Sequence, residues 1–169
     1  VPPSAGGEVR RALFPGSFDP FHNGHREVVE RASALFDEVV VAAMRNPQKA
    51  SPLFGLEERL SLIEEAVADL DNVRVVALSS LVVDLARSVD ATVIVRGLRA
   101  VSDFEIELQM AQMNRTLSGV DTLFVPTSSV HSFLSSKLIR EIAAYGGDVS
   151  AFVPVVVAKA LAARTGGGG

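Results

Sequence analysis

The chain has no cysteine and no tryptophan, a single tyrosine, and only three lysines against thirteen arginines. Without cysteine there can be no disulfide, no thiolate nucleophile and no cysteine zinc site; this is compatible with a reducing compartment, and a cytoplasmic location is expected. No run approaches the roughly 18 apolar residues of a membrane span, and the opening VPPSAGG has no apolar secretory core, so no membrane association is expected. An excess of positive charge is also lacking. With a net charge of −4 and a pI near 5.4, the chain does not read as a general nucleic-acid surface, and bound phosphate must be held by locally placed cations. Neither G-x-G-x-x-G nor a Walker A motif occurs, so any phosphate device must be of another kind.

What is present is an alternation of patterns. Apolar, β-branched runs at 12–14, 38–44, 73–78, 91–95 and 122–125 predict strands. Helical spacing predicts helices at 24–36, 56–70, 81–89, 103–117, 135–145 and 154–163. Strands separated by helices predict an α/β fold: a Rossmann-like parallel five-stranded sheet with helices on both faces. At 169 residues and 48% hydrophobic content one domain is expected, over 11–163. Residues 1–10 read as a flexible lead and 164–169 as a flexible tail.

Residues 11–25, RALFPGSFDPFHNGH, hold two histidines three apart where a buried strand hands over to a helix. Asn23 reads as the helix N-cap, which places His22 just before it, His25 in the first turn, and Gly24 where a ligand needs close approach to the backbone. The helix N–H groups would face the C-terminal edge of the sheet, where open α/β sheets bind ligands. A pair of histidines can also merely cap or pack. A metal site would need further ligands, and neither cysteine nor H-E-x-x-H supplies them, so no protein-held metal is expected.

Three more segments follow predicted strands. Residues 45–54 carry Lys49, residues 96–99 place Arg96 and Arg99 around Gly97, and residues 127–137 form a hydroxyl-rich run leading into a helix. Two arginines beside a glycine suit bidentate phosphate recognition, and a second helix N-terminus would offer further N–H donors. For each there is a plain alternative: a solvated lysine, a salt bridge of Arg99 to Asp103 or Glu105, an ordinary capped loop.

Read jointly, residues 14–20 (FPGSFDP), the H-x-G-H of 22–25, RGLRA at 96–100 followed by DFE at 103–105, and SFLSS at 132–136 resemble the bacterial phosphopantetheine adenylyltransferases, over nearly the whole chain. The resemblance implies transfer of the adenylyl group of ATP, with Mg²⁺, to 4′-phosphopantetheine, giving dephospho-coenzyme A and pyrophosphate. It also implies a homo-oligomer, a hexamer, and feedback inhibition by coenzyme A. Carried over residue by residue, His25, Ser17, Lys49 and Arg96 are the catalytic set. His25 would contact the α-phosphate, Ser17 would lie near both reacting phosphates, and Lys49 and Arg96 would hold the acceptor phosphate. Arg99 and residues Ser132, Phe133, Leu134, Ser135, Ser136 and Lys137 would take the β- and γ-phosphates. Gly97, Leu98 and Glu107 would surround the nucleoside, and Phe18 and His131 complete the ATP set. Leu81, Val82, Met113 and Asn114 match positions lining the pantetheine pocket, though for Leu81 and Met113 plain packing explains an apolar residue equally well. Lys137 departs from the family pattern, which commonly has a small hydroxyl residue there. A nucleotidyltransferase with another acceptor, such as nicotinate mononucleotide, and a non-catalytic nucleotide sensor remain as alternatives. The class I aminoacyl-tRNA synthetases share the histidine signature, but this chain has no room for a tRNA-binding domain.

Overall fold

A computed structural model describes residues 7–45, 51–99 and 104–166. The elements run β1 (Arg11–Gly16), α1 (Asn23–Leu35), β2 (Glu38–Met44), α2 (Leu56–Ala66), β3 (Val73–Leu78), α3 (Val82–Ser88), β4 (Val93–Leu98), α4 (Phe104–Ser118), β5 (Asp121–Pro126), α5 (Ser136–Ala144) and α6 (Val155–Thr165). All strand pairs are parallel, in the order β3-β2-β1-β4-β5. This is the α/β sheet that the alternating pattern predicts.

The second strand, EVVVAAM, is apolar on both faces because both are covered: Val39 through Ala43 are fully buried. On one face Val39 and Val41 join Phe14, Phe18, Phe21, Val28, Val29 and Ile63 in the main core. On the other, Val40 and Ala42 pack with Leu13, Leu78, Ala86 and Ile94. Burying each of these larger side chains stabilises the fold by about 1.5–3 kcal/mol, so the sheet centre carries a large share of the fold's stability. A third cluster joins Phe54 and Leu62 to Ile139, Val153, Val157 and Leu161, seating α5 and α6.

The functional edge follows from strand order. The chain leaves β1 toward β2 and β3, then crosses back to β4 and β5, so the crevice between β1 and β4 is the topological switch point. The β1 ladder to β2 continues to Gly16↔Ala43, whereas that to β4 holds only Ala12↔Val93 and Leu13↔Ile94. Pro15 has no N–H to offer, so the strands part just before it and the crevice opens.

Several boundaries differ from the sequence reading: β1 runs on from 14 through Pro15 and Gly16, which pair with Ala42 and Ala43 of β2, and α2 stops at Ala66 rather than 70. Two further differences bear on the site. The fourth strand starts at Val93 and continues through Leu98 rather than spanning 91–95, because Arg96, Gly97 and Leu98 pair with Phe124, Val125 and Pro126 of β5. The N-cap of α1 is His22, not Asn23. The His22 imidazole accepts from the N–H groups of Gly24 and His25 as a capping Asn would, and Asn23 becomes the first helical residue, its N–H bonded to the Phe152 carbonyl at 2.9 Å.

Candidate active site

The C-terminal ends of β1 and β4 and the starts of α1 and α5 enclose a cavity of about 440 Å³. Ser17, His25, Arg96, Arg99, Ser136 and Lys137 all line it, so residues more than a hundred positions apart meet as the motif analysis expects. Phe18, Gly97, Glu107 and Ser135 also line it.

The histidine pair forms its own device. The His22 and His25 rings stack at 3.6 Å. The His22 Nδ1 accepts the Gly24 N–H at 3.1 Å, and the His25 Nδ1 accepts the His22 N–H at 3.1 Å, a reciprocal capping box built from two imidazoles. Because each Nδ1 accepts, each proton of the neutral rings is assigned to Nε2, which makes His25 an N–H donor at the cavity. Gly24 is required by the pair itself, since a Cβ there would lie 2.9 Å from the His22 ring. Phe18 at 4.9 Å and Phe21 at 5.5 Å complete the box around His25. Phe18 is buried, in the left-handed region at φ 49°, so it offers a ligand its backbone while its side chain packs on His25.

Burial above all keeps both imidazoles neutral, helped at His22 by Arg99 and at His25 by the stacked His22 ring and then by Arg99 and Arg96: the pKa of His22 is lowered to about 3, and that of His25 well below its ordinary value. The unfolded chain takes up protons near pH 6.5 that the folded chain refuses. Stability from these groups is therefore complete above about pH 6.5 and is lost as pH falls toward 3. Denaturant titrations at a series of pH values should show this decline, and His22→Asn, which keeps a capping acceptor without the titration, should flatten it. An unchanged slope in that variant would assign the acid sensitivity elsewhere.

Arg96 donates Nε and Nη2 to the two Glu107 oxygens, at 2.8 and 2.7 Å, and Nη1 to the Pro15 carbonyl at 2.7 Å. The parting of β1 from β4 leaves that carbonyl available, so the guanidinium bridges the mouth of the crevice. Arg99 donates to the Leu134 carbonyl at 2.8 Å and ties the segment before α5 to the end of β4. Ser135 caps α5 through Leu138, and the Ser136 hydroxyl donates to the Pro20 carbonyl. The α5 N-terminus is thereby aimed at the cavity from the side opposite α1. Lys137 stands in its first turn, where the helix dipole disfavours a cation unless an anion compensates.

Other expected residues fall outside this cavity. Leu98, His131, Ser132, Phe133 and Leu134 are near neighbours of its wall but do not line it. Leu81 and Met113 are 63% and 61% exposed, and Val82 packs under the sheet rather than facing the site. Asn114 is half-buried on α4, away from the lining. Lys49 lies outside the described residues.

Residues not singled out beforehand complete the wall. Asp19, buried, accepts from the N–H groups of Leu53 and Phe54 at 2.9 and 3.0 Å and so anchors the segment before α2. Arg140, one turn beyond Ser136, lines the cavity and donates to the Asp19 carbonyl. Arg59, 4% exposed, donates to the carbonyls of Ser17, Met44 and Phe54 and fastens the Ser17 corner from beneath. Thus four cations face the cavity (Arg96, Arg99, Lys137 and Arg140), and its two carboxylates, Asp19 and Glu107, already have partners. Such a lining suits a polyanion.

Fold and site define the class. The model of the cytidylyltransferase-like family matches residues 13–142. The crystal structure of a bifunctional NMN adenylyltransferase/ADP ribose pyrophosphatase from Francisella tularensis superposes with a TM-score of 0.65, covering 86% of this chain and 44% of that one; at 17% identity this is a likeness of fold. Closer in sequence is a phosphopantetheine adenylyltransferase of Gloeobacter violaceus, 59% identical over 157 residues that cover 92% of this chain and 97% of that protein. A protein of the same name from Streptomyces coelicolor is 54% identical, covering 92% and 98%. The chain belongs to the phosphopantetheine adenylyltransferase family.

Proposed function

We propose that this chain transfers the adenylyl group of ATP to 4′-phosphopantetheine, releasing pyrophosphate and forming dephospho-coenzyme A. The observation that carries this reading is the identity of 54–59% to relatives of that name over nearly their whole length. The cavity chemistry agrees. A phosphate monoester is largely dianionic near neutrality, so the attacking oxygen needs no general base. It forms a bond to the α-phosphorus while the bond to the bridging oxygen breaks, and pyrophosphate departs with that electron pair. What the protein must supply is alignment of two anions and donors for the charge that builds on the α-phosphoryl oxygens. In this reading the His25 Nε2–H meets the α-phosphoryl group and Arg96 the acceptor phosphate. Arg99, Lys137 and the α5 N-terminus take the rest of the triphosphate.

Magnesium enters as MgATP. Bound with the substrate, it would neutralise part of the triphosphate charge. Coenzyme A shares the adenylyl and pantetheine parts of the product, so it would occupy the same cavity as a feedback inhibitor. No helix among the described residues is long and apolar enough to cross a membrane.

The oligomer has its own support. The fourth helix buries none of its residues, yet it exposes Ile106, Met110, Met113 and Leu117 at helical spacing. Such a stripe fits a second copy of this chain and the expected hexamer better than solvent.

A pyrophosphate-release assay with ATP and Mg²⁺ tests the activity. Release should depend on 4′-phosphopantetheine and not occur with nicotinate mononucleotide. Release with the mononucleotide instead would identify another nucleotidyltransferase, and ATP binding with no release for any acceptor would identify a sensor.

A further inference from the structure

Between β5 and α5 the chain must span from Thr127, bonded to the Leu98 carbonyl at 2.8 Å, to Ser135, the α5 cap. Within this span the Ser128 carbonyl accepts from the N–H groups of His131 and Ser132, closing a turn. Internal bonds shape that turn but do not locate it. Location comes from α1. Glu27 accepts from the Ser128 N–H and hydroxyl, both at 2.9 Å, and lies 2.6 Å from the His131 Nδ1. Among the described residues, no other side chain outside the loop bonds to residues 128–133. Phe133 adds only a ring contact to Phe152 at 6.2 Å.

Glu27 is well suited to this task. It stands on α1 beside Val28 and Val29, which are locked in the main core, and its side chain is 13% exposed. Burial pushes its carboxyl pKa up, but the bonds from His131 and Ser128 outweigh that and hold the group below its ordinary range, so it is ionised at neutral pH. An ionised carboxylate only accepts, so the His131 proton sits on Nδ1. Arg31, one helical turn on, adds a 3.0 Å ion pair. A carboxylate close to a triphosphate would repel it, and these donors absorb the charge.

We propose that Glu27 is a positioning residue of the nucleotide site, which acts by holding the turn 128–131 against the first turns of α1, so that Thr127 and the α5 N-terminus meet ATP already in place. A preformed loop spares the ligand the cost of ordering it. The inference rests on the reading of the cavity as an ATP site, and direct ATP binding by calorimetry tests the two separately because no acceptor is needed.

Glu27→Ala should weaken ATP binding about 10-fold, the loss of one to two net hydrogen bonds' worth of ordering, while 4′-phosphopantetheine binding changes less than about twofold. Glu27→Gln, which keeps one acceptor for the Ser128 N–H, should fall between. The double variant Glu27→Ala/His131→Ala should bind ATP no worse than Glu27→Ala alone, since both changes release the same loop. Equal weakening for both ligands, or parent-like ATP affinity in Glu27→Ala, would overturn the proposal. If Glu27→Ala does not fold, Glu27→Gln and Ser128→Ala carry the same test. A parent protein that binds no ATP would instead overturn the reading of the site.

Discussion

His25→Ala should fold like the parent and lose about 10²–10³ in kcat, the usual cost of removing one preorganised donor to a developing oxyanion. The imidazole is held on three sides, by the His22 ring at 3.6 Å, by Phe18 and by Phe21, and its Nδ1 is occupied by the His22 N–H. Only the Nε2–H is left to act, and it acts as a neutral dipole because desolvation keeps the pKa far below its ordinary value. The rate should accordingly show no loss on raising pH through 6 to 8 that is traceable to His25. His25→Asn keeps a side-chain N–H donor and should retain more activity than His25→Ala. Steady-state kinetics and circular dichroism on both variants decide it. A folded His25→Ala enzyme within a few-fold of the parent would remove His25 from the reaction.

Much of this site is legible in the sequence because its parts sit at strand ends. The apolar runs at 38–44 and 73–78 match β2 and β3 at both ends, and the order of strands and helices fixes which loops share an edge. The missed features are those where tertiary partners decide. Arg96, Gly97 and Leu98 look like loop, yet pairing with β5 draws them into β4. Asn23 has the better intrinsic capping preference, but an imidazole with a free acceptor nitrogen, followed three residues later by another, makes the tighter cap. Glu27 and Arg140 reach partners 101 and 121 positions away, and no local pattern announces a contact at that separation. Arg59 reads as a polar residue of an amphipathic helix. Three carbonyls left open by the strand ends of β1 and β2 and by the segment before α2 bury it.

Arg96→Ala should weaken 4′-phosphopantetheine binding roughly 10- to 100-fold, the range for a hydrogen bond to a charged group, and ATP binding by less than about threefold. Of the five N–H groups of its guanidinium, three are spent, two on Glu107 and one on the Pro15 carbonyl. One remains on each terminal nitrogen, able to donate to a phosphate oxygen. The Glu107 carboxylate fixes the plane of this fork, so that in the proposed reaction it would meet the acceptor without first being ordered. Lysine has neither the fork nor the reach to engage Glu107 and Pro15 together, so Arg96→Lys should recover little despite keeping the charge. Glu107→Gln should keep one bond to Arg96 and relax its orientation, raising the acceptor KM by less than Arg96→Ala does. Calorimetry with each ligand, on each variant, measures the partition. Equal losses for ATP and acceptor would mean that Arg96 serves both reacting phosphates at once, and restored acceptor affinity in Arg96→Lys would show that charge alone, not the fork held by Glu107, is what the site requires.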